Sequence, residues 1–378
     1  MDQALLPTFA PLADYEQLAA VLLDRLQADD PVANGLFRQL HPQFRRMDVP
    51  WLPRATTAAD VPPGIGLDDA RLAVARAHAF LDWAALSAWV ADVTEPGSAT
   101  ARFEGAVDAV IDGDLPGLEA LLASDPDLPR ARSTRGCCFD PPVHRATLLH
   151  YVAANGVEDH RQRTPPNAVA ILTALLRAGA EPDAEADLYG SRWTTVSLLV
   201  SSSHPAEAGL QVPLLEALAA FGAALDGSLH PPLRTALTFG MTDAAEALVR
   251  LGAEVRDLPT AAGLGRLDLA QVLLPDADPA ARHLALALAA QLGRVDVVRL
   301  LLDAGEDPNR YNPPGAHPHA TPLHHAALHG HEAVVRLLVD RGAALDLRDR
   351  IYDSDPAGWA RHAGQVAIAD ALRARAGG

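Results

Sequence analysis

The chain has 378 residues, 49% of them apolar and only 5% aromatic, with a formal charge of −17. Such an acidic surface argues against gripping a phosphate backbone through neutralising cations, so nucleic-acid binding is not expected. All 31 Lys and Arg positions are arginine, and the missing lysine excludes Schiff-base chemistry, a P-loop lysine and a kinase-type lysine together. Cys137 and Cys138 are neighbours that close no long loop within one chain, which fits a reducing compartment. Met1, Asp2 and Gln3 form no positively charged leader, and no apolar run reaches the ~18 residues that cross a bilayer. A cytoplasmic protein without membrane contact is the expectation. The length could fill two ordinary domains, yet repeated units that grow by stacking give one elongated body.

In chain order, the apolar spacing over residues 14–26 predicts an amphipathic helix, and the proline-rich stretch 49–66 cannot be helical throughout. Residues 67–93 read as one or two helices. From about residue 101 a periodic pattern takes over. Its clearest copy is 321–346, where Thr321 is placed to cap a helix beginning at Pro322 and Gly330 ends that helix. Val334, Val335, Leu337 and Leu338 recur at helical spacing on a second helix, which Gly342 stops. The Thr-Pro-Leu-His start, the Gly-His turn and the Val-Val-x-Leu-Leu face resemble the ankyrin repeat.

One such hairpin cannot bury its own apolar face, so similar neighbours should flank it. Residues 284–309, 146–183, 212–226 and 241–255 repeat the pattern in whole or part. The glycines closing the second helices, Gly179, Gly222, Gly252, Gly305 and Gly342, are spaced by 43, 30, 53 and 37 residues, against about 33 for an ankyrin unit. The step of 53 conceals a degenerate copy at 261–279, with Pro275 where a glycine would stand. Residues 106–133 read as a divergent first repeat turning at Gly113 and Asp114, and the last 24 residues as a more polar C-terminal cap. The resemblance implies an all-α ankyrin-repeat solenoid with β-hairpin-like loops. It would occupy 101–378 in about seven or eight repeats behind a helical leader at 1–100. That leader resembles a segment ahead of the repeats in some bacterial ankyrin proteins, carried here by Ala75, Arg76, Phe80 and Trp83. Phe80, Trp83 and Trp89 are expected to pack it onto the first repeat.

The histidines His317, His319, His324, His325, His329 and His331 invite a metal reading, because His325 and His329 share a helix face. No carboxylate or cysteine completes a recognisable ligand set, and the ankyrin pattern itself calls for His324 and His331. No metal or other cofactor is expected. Gly64–Gly66 and Gly263–Gly265 read as turns rather than phosphate loops, and Ser201, Ser202, Ser203 and His204 have no triad context.

Two consecutive repeats are stretched, at 157–168 and 200–211, and the loops feeding them, 132–145 and 184–193, are long as well. Insertions in repeat arrays fall on one face, often the binding face. These segments carry Arg132, Arg135, Phe139, His144, Arg145, Arg161, Arg163, Tyr189, Arg192 and Trp193, residue types that anchor interfaces. Residues 144–156 also resemble a string in bacterial ankyrin proteins that implies no known chemistry. The alternative is that the arginines pair with the surplus of carboxylates while Tyr189 and Trp193 pack between hairpins.

The function expected is a non-catalytic protein–protein interaction scaffold, monomeric, with a partner of acidic surface. A second reading is an enzyme or small-ligand receptor with a pocket between the stretched loops, drawing on His144, His150, Tyr151, His160, Arg161, Tyr189 and His204. A third takes the negative charge as a nucleic-acid mimic that occupies a basic protein.

Overall fold

A computed structural model describes residues 5–44, 60–62, 64–227 and 229–376. Met1 to Gln3 and most of the proline-rich stretch expected at 49–66 lie outside the described residues. The chain divides into two compact units, Met1–Ala224 and Leu225–Gly378, and the described residues are mostly helical.

The first unit opens with helices Leu12–Gln27, Pro31–Leu40, Leu67–Ala77 and Trp83–Thr94. They enclose a core in which Tyr15, Phe37, Phe80 and Leu86 are fully buried. Each such side chain contributes roughly 1.5–3 kcal/mol over exposure. Helix Pro31–Leu40 is short, with Val32, Leu36, Phe37 and Leu40 at helical spacing and Ala33 and Phe37 buried. Its start is marked as well, where the Asp30 carboxylate accepts the Val32 and Ala33 N–H groups and proline fills the first position. Residues 67–93 form two helices because the chain reverses through Ala79, which has φ +66.

Three helix hairpins follow in this unit: Ala99–Asp112 with Leu115–Ser124, Leu148–Val152 with Ala168–Arg177, and Thr195–Leu199 with Gln211–Ala220. The first turns at Gly113, where φ is +78 and an added Cβ would stand 2.7 Å from Asn167 Oδ1. Asn167 Nδ2 in turn donates to Gly113 O, so glycine satisfies both the left-handed backbone and the close approach of the next hairpin. The stretched connections are partly ordered. A 3₁₀ turn spans Asp159–Arg161 and a short helix spans Ser203–Glu207.

Residues 184–193, expected as loop, include a two-stranded antiparallel hairpin, Glu185–Leu188 with Ser191–Thr194. Its turn residues Tyr189 and Gly190 have φ +55 and +75, the sign a two-residue hairpin turn needs to match strand twist. Tyrosine is a poor residue for that conformation. It is held there because its hydroxyl donates to Gly156 O at 2.6 Å and lies 3.1 Å from Asn155 Oδ1.

The second unit carries five hairpins: Pro232–Thr238 with Thr242–Arg250, Leu258–Leu264 with Leu267–Leu273, Pro279–Gln291 with Val295–Asp303, Pro322–Leu328 with Glu332–Asp340, and Pro356–His362 with Val366–Ala376. First helices pack on first helices through this series, and second on second from Leu267–Leu273 through Val295–Asp303 to Glu332–Asp340. The seam is dense in buried alanine, among them Ala261, Ala285, Ala289, Ala326 and Ala360, which lets the backbones approach closely. The degenerate copy has the shorter second helix Leu267–Leu273. Turn side chains reach back to the preceding hairpin: Arg294 Nε donates to Gly263 O and His331 Nε2 to Gln291 O.

Candidate interaction surface

The first of the stretched repeats is hung on a threonine–histidine cap. Thr147 caps helix Leu148–Val152 while His150 Nδ1 accepts from the Thr147 N–H at 3.1 Å and hydroxyl at 2.8 Å. The other ring nitrogen, Nε2, lies 3.2 Å from Trp193 O in the following hairpin. The ring therefore works as a neutral imidazole that ties one repeat to the loop of the next. Burial enforces that state by pushing its pKa down to about 4. Thr321 and His324 repeat the arrangement, with His324 Nε2 at 3.2 Å from Ser354 O.

Loop 132–145 and the β-hairpin are locked together. Asp187 N–H donates to His144 O, and Arg132 Nη1 donates to the carbonyls of Arg145 and Glu185. The Phe139 ring meets Tyr189 edge to face at 5.5 Å. Beneath them lies a buried ionic network centred on Glu158, which is 3% exposed. Arg135 Nε is 2.8 Å from one carboxylate oxygen, His144 Nε2 is 3.1 Å from the same oxygen, and Arg161 is 3.4 Å from the other. Arg161 also pairs with Glu104 and Asp108 and donates to Thr8 Oγ1. The Arg135 guanidinium lies 4.4 Å from the ring centroids of both Phe80 and Trp89 and donates to His78 O. Burial pushes the Glu158 carboxyl up, but Arg135, Arg161 and His144 outweigh it and hold it well below the usual range. Burial likewise opposes the charge on Arg161, and Glu104 and Glu158 more than restore it.

The ten residues singled out in the sequence thus divide. Arg135, His144 and Arg161 are interior, at 2%, 1% and 4% exposure, because the carboxylates of Glu158, Glu104 and Asp108 draw them in. A partner cannot touch them without unpacking the unit. Arg132, Phe139, Tyr189 and Trp193 are half-buried, and Arg145, Arg163 and Arg192 are exposed. Arg163 pairs with Asp112 at 3.0 Å and Arg192 with Glu185 at 3.0 Å. The arginines therefore largely meet carboxylates of the same chain. Glu158, Glu104, Asp108 and Thr8 were not singled out, although Glu158 stands three residues before Arg161 inside the insertion.

Four of the pocket candidates, His144, His150, Tyr151 and Arg161, do line one cavity, together with Asn155 and Leu188. Its volume is about 20 Å³, which suffices for a water molecule, whereas small-molecule sites run to roughly 300–1,000 Å³. Burial also pushes the Tyr151 hydroxyl pKa well up. Burial pushes the Cys137 thiol up to about 11, an inert form. Among the described residues, no group of three or more His, Cys, Asp or Glu side chains could hold a metal ion, and no helix is long and apolar enough to cross a membrane.

Successive short helix hairpins, two of them tied to the next segment by threonine–histidine caps, define a helical-repeat protein. Residues 258–349 match the family described as Ankyrin repeats (3 copies), beginning at the degenerate hairpin. The protein carries ankyrin repeats over that segment. No curated protein matches the chain. Ankyrin repeats are generally protein-interaction modules, and the family is typically non-enzymatic.

Proposed function

We propose that this protein is a non-catalytic interaction scaffold, an ankyrin solenoid over 101–378 behind a helical leader at 1–100, acting as a soluble monomer in the cytoplasm of a bacterium. The partner is another protein. The surface that meets it is the one built from Arg132, Phe139, Arg145, Tyr189, Arg192 and Trp193, with Arg163 at its margin. One observation carries the reading: two successive long loops, 132–145 and 184–193, are fastened to each other, through Asp187 to His144 and Arg132 to Glu185, and the first stands on the Glu158 network through Arg135 and His144. A surface immobilised before binding loses little side-chain and loop entropy on association. Arg145 favours an acidic contact, being exposed at φ +52 with no ion pair among the described residues. The four deep-set helices of the leader, with their own core, support its role as a cap.

The test compares capture of partners by the wild type with capture by Arg145→Ala/Arg192→Ala and by Phe139→Ala, followed by titration of the recovered protein. Weakening of at least tenfold by the surface variants, with unchanged melting, supports this siting. Unchanged affinity in both removes it.

A further inference from the structure

In the Leu225–Gly378 unit, four histidine rings meet where the 309–320 loop covers helix Pro322–Leu328. His325 is 4% exposed, and neither ring nitrogen has a hydrogen-bond partner. A neutral imidazole always presents one donor and one acceptor, so two polar atoms are desolvated there without compensation. Its surroundings are other rings, with centroids at 4.8 Å for His317, 5.3 Å for Trp359, 6.2 Å for His329 and 6.5 Å for His319.

The loop that closes this site is itself under load. His317 holds φ +60, a region that non-glycine residues rarely enter, and its Nε2 lies 3.2 Å from Thr238 O. His319 and Asn312 are both more than nine-tenths buried, yet His319 Nδ1 and both polar side-chain atoms of Asn312 have no partner. The charged and titratable groups acting on the four rings are the rings themselves, His324, His331 and Asp349. Asp349 is already engaged by the N–H groups of Ile351, Tyr352 and Ser354 and by the Trp359 indole. His324 is committed to Thr321 and Ser354, and His331 to Gln291.

We propose that this cluster is a proton-operated latch, closed by the 309–320 loop while its rings are neutral and opened when protons bind. A charge on His319 or His325 is desolvated and faces further imidazoles instead of a free carboxylate, whereas His329 stands at the exposed rim. The proton is accommodated only where the loop lifts and water reaches the rings. Opening uncovers His325, Trp359 and the start of helix Pro322–Leu328, which changes the surface this repeat offers.

Linkage sets the direction. The rings are harder to protonate closed than open, burial being the first cause at each. Opening is insensitive to pH above the ordinary histidine value near 6.5, becomes easier as pH falls, and gains nothing further below the closed-state value, which is about 4 for His319. Within that window each coupled ring raises the opening constant by roughly tenfold per pH unit.

Backbone hydrogen exchange of the whole chain at pH 7.5, 6.0 and 5.0, corrected for intrinsic rates, reads this opening. Protection over 309–328 should fall about tenfold or more from pH 6.0 to 5.0 while helix Val295–Asp303 keeps its protection. In His325→Leu, of similar size and without a titrating ring, the fall should shrink by about one ring's share. If that variant loses protection at pH 7.5, His319→Gln, at the other buried ring, replaces it with the same expectation. An equal fall in both segments means global acid unfolding and overturns the latch. So does a pH-independent loop, or a wild-type His325 resonance that titrates near 6.5 with loop protection intact.

Discussion

Glu158→Gln keeps the shape of the side chain and removes the charge that two buried arginines share. At separations of 2.8 Å to Arg135 and 3.4 Å to Arg161, and an effective dielectric near 20, each attraction is roughly 5–6 kcal/mol before desolvation. The carboxylate no longer has to be stripped of water in the variant, which returns part of this. Arg161 keeps Glu104 and Asp108, so the loss falls on Arg135, left with His78 O and the faces of Phe80 and Trp89. The expected net cost is about 3–5 kcal/mol, the range for leaving a buried charge without its partner. For a unit of about 220 residues that lowers melting by roughly 6–20 °C. Calorimetry of the whole chain, with hydrogen exchange assigning the transition to the Met1–Ala224 unit, measures it. A loss under about 1 kcal/mol would refute the claim that this network fastens the leader and the inserted loops.

Acid should weaken the same unit in two windows. Burial first, with Arg135 contributing at His78 and His160, depresses the pKa of His78, His150 and His160 to about 4, so stability is complete above about 6.5 and declines as pH drops toward 4. Glu158, held below 4.5, adds stability that is lost at still lower pH as it protonates, and urea midpoints across pH 3–8 check both. Thr147→Val deletes the hydroxyl bonded to His150 and should cost about 1–2 kcal/mol in urea unfolding. Gly113→Ala meets a left-handed backbone and Asn167 Oδ1 at 2.7 Å together, and should cost at least about 2 kcal/mol by the same assay; a neutral result would remove the close approach argued for that turn.

Much of the architecture was readable residue by residue. Thr321, Pro322, Gly330 and Gly342 act through caps and turns spanning a few positions, and the Leu and Val spacing names the buried face of the same helix. Helix Pro31–Leu40 was missed although the Asp30 cap and the spacing of Val32, Leu36, Phe37 and Leu40 both mark it, because ten residues hold less than three turns of pattern. β-hairpin-like loops were expected, but not their place at Glu185–Thr194, because the turn there uses tyrosine, held through the distant carbonyl of Gly156. Of the candidate site, the long loops 132–145 and 184–193 do associate, but which of its members face inward was not legible.

What the sequence by itself determined is therefore the local grammar: hairpin order, helix ends, the threonine–histidine caps and the absence of lysine chemistry. Each follows from groups within one or two helical turns. Only the tertiary structure decided that Arg135, His144 and Arg161 turn inward while Arg145 faces water. That choice depends on carboxylates brought from other segments, Glu104 lying 57 positions from Arg161, and on the rings of Phe80 and Trp89 arriving from the leader. A charged side chain is drawn inside only where partners offset its desolvation, and those partners converge only once the chain has folded.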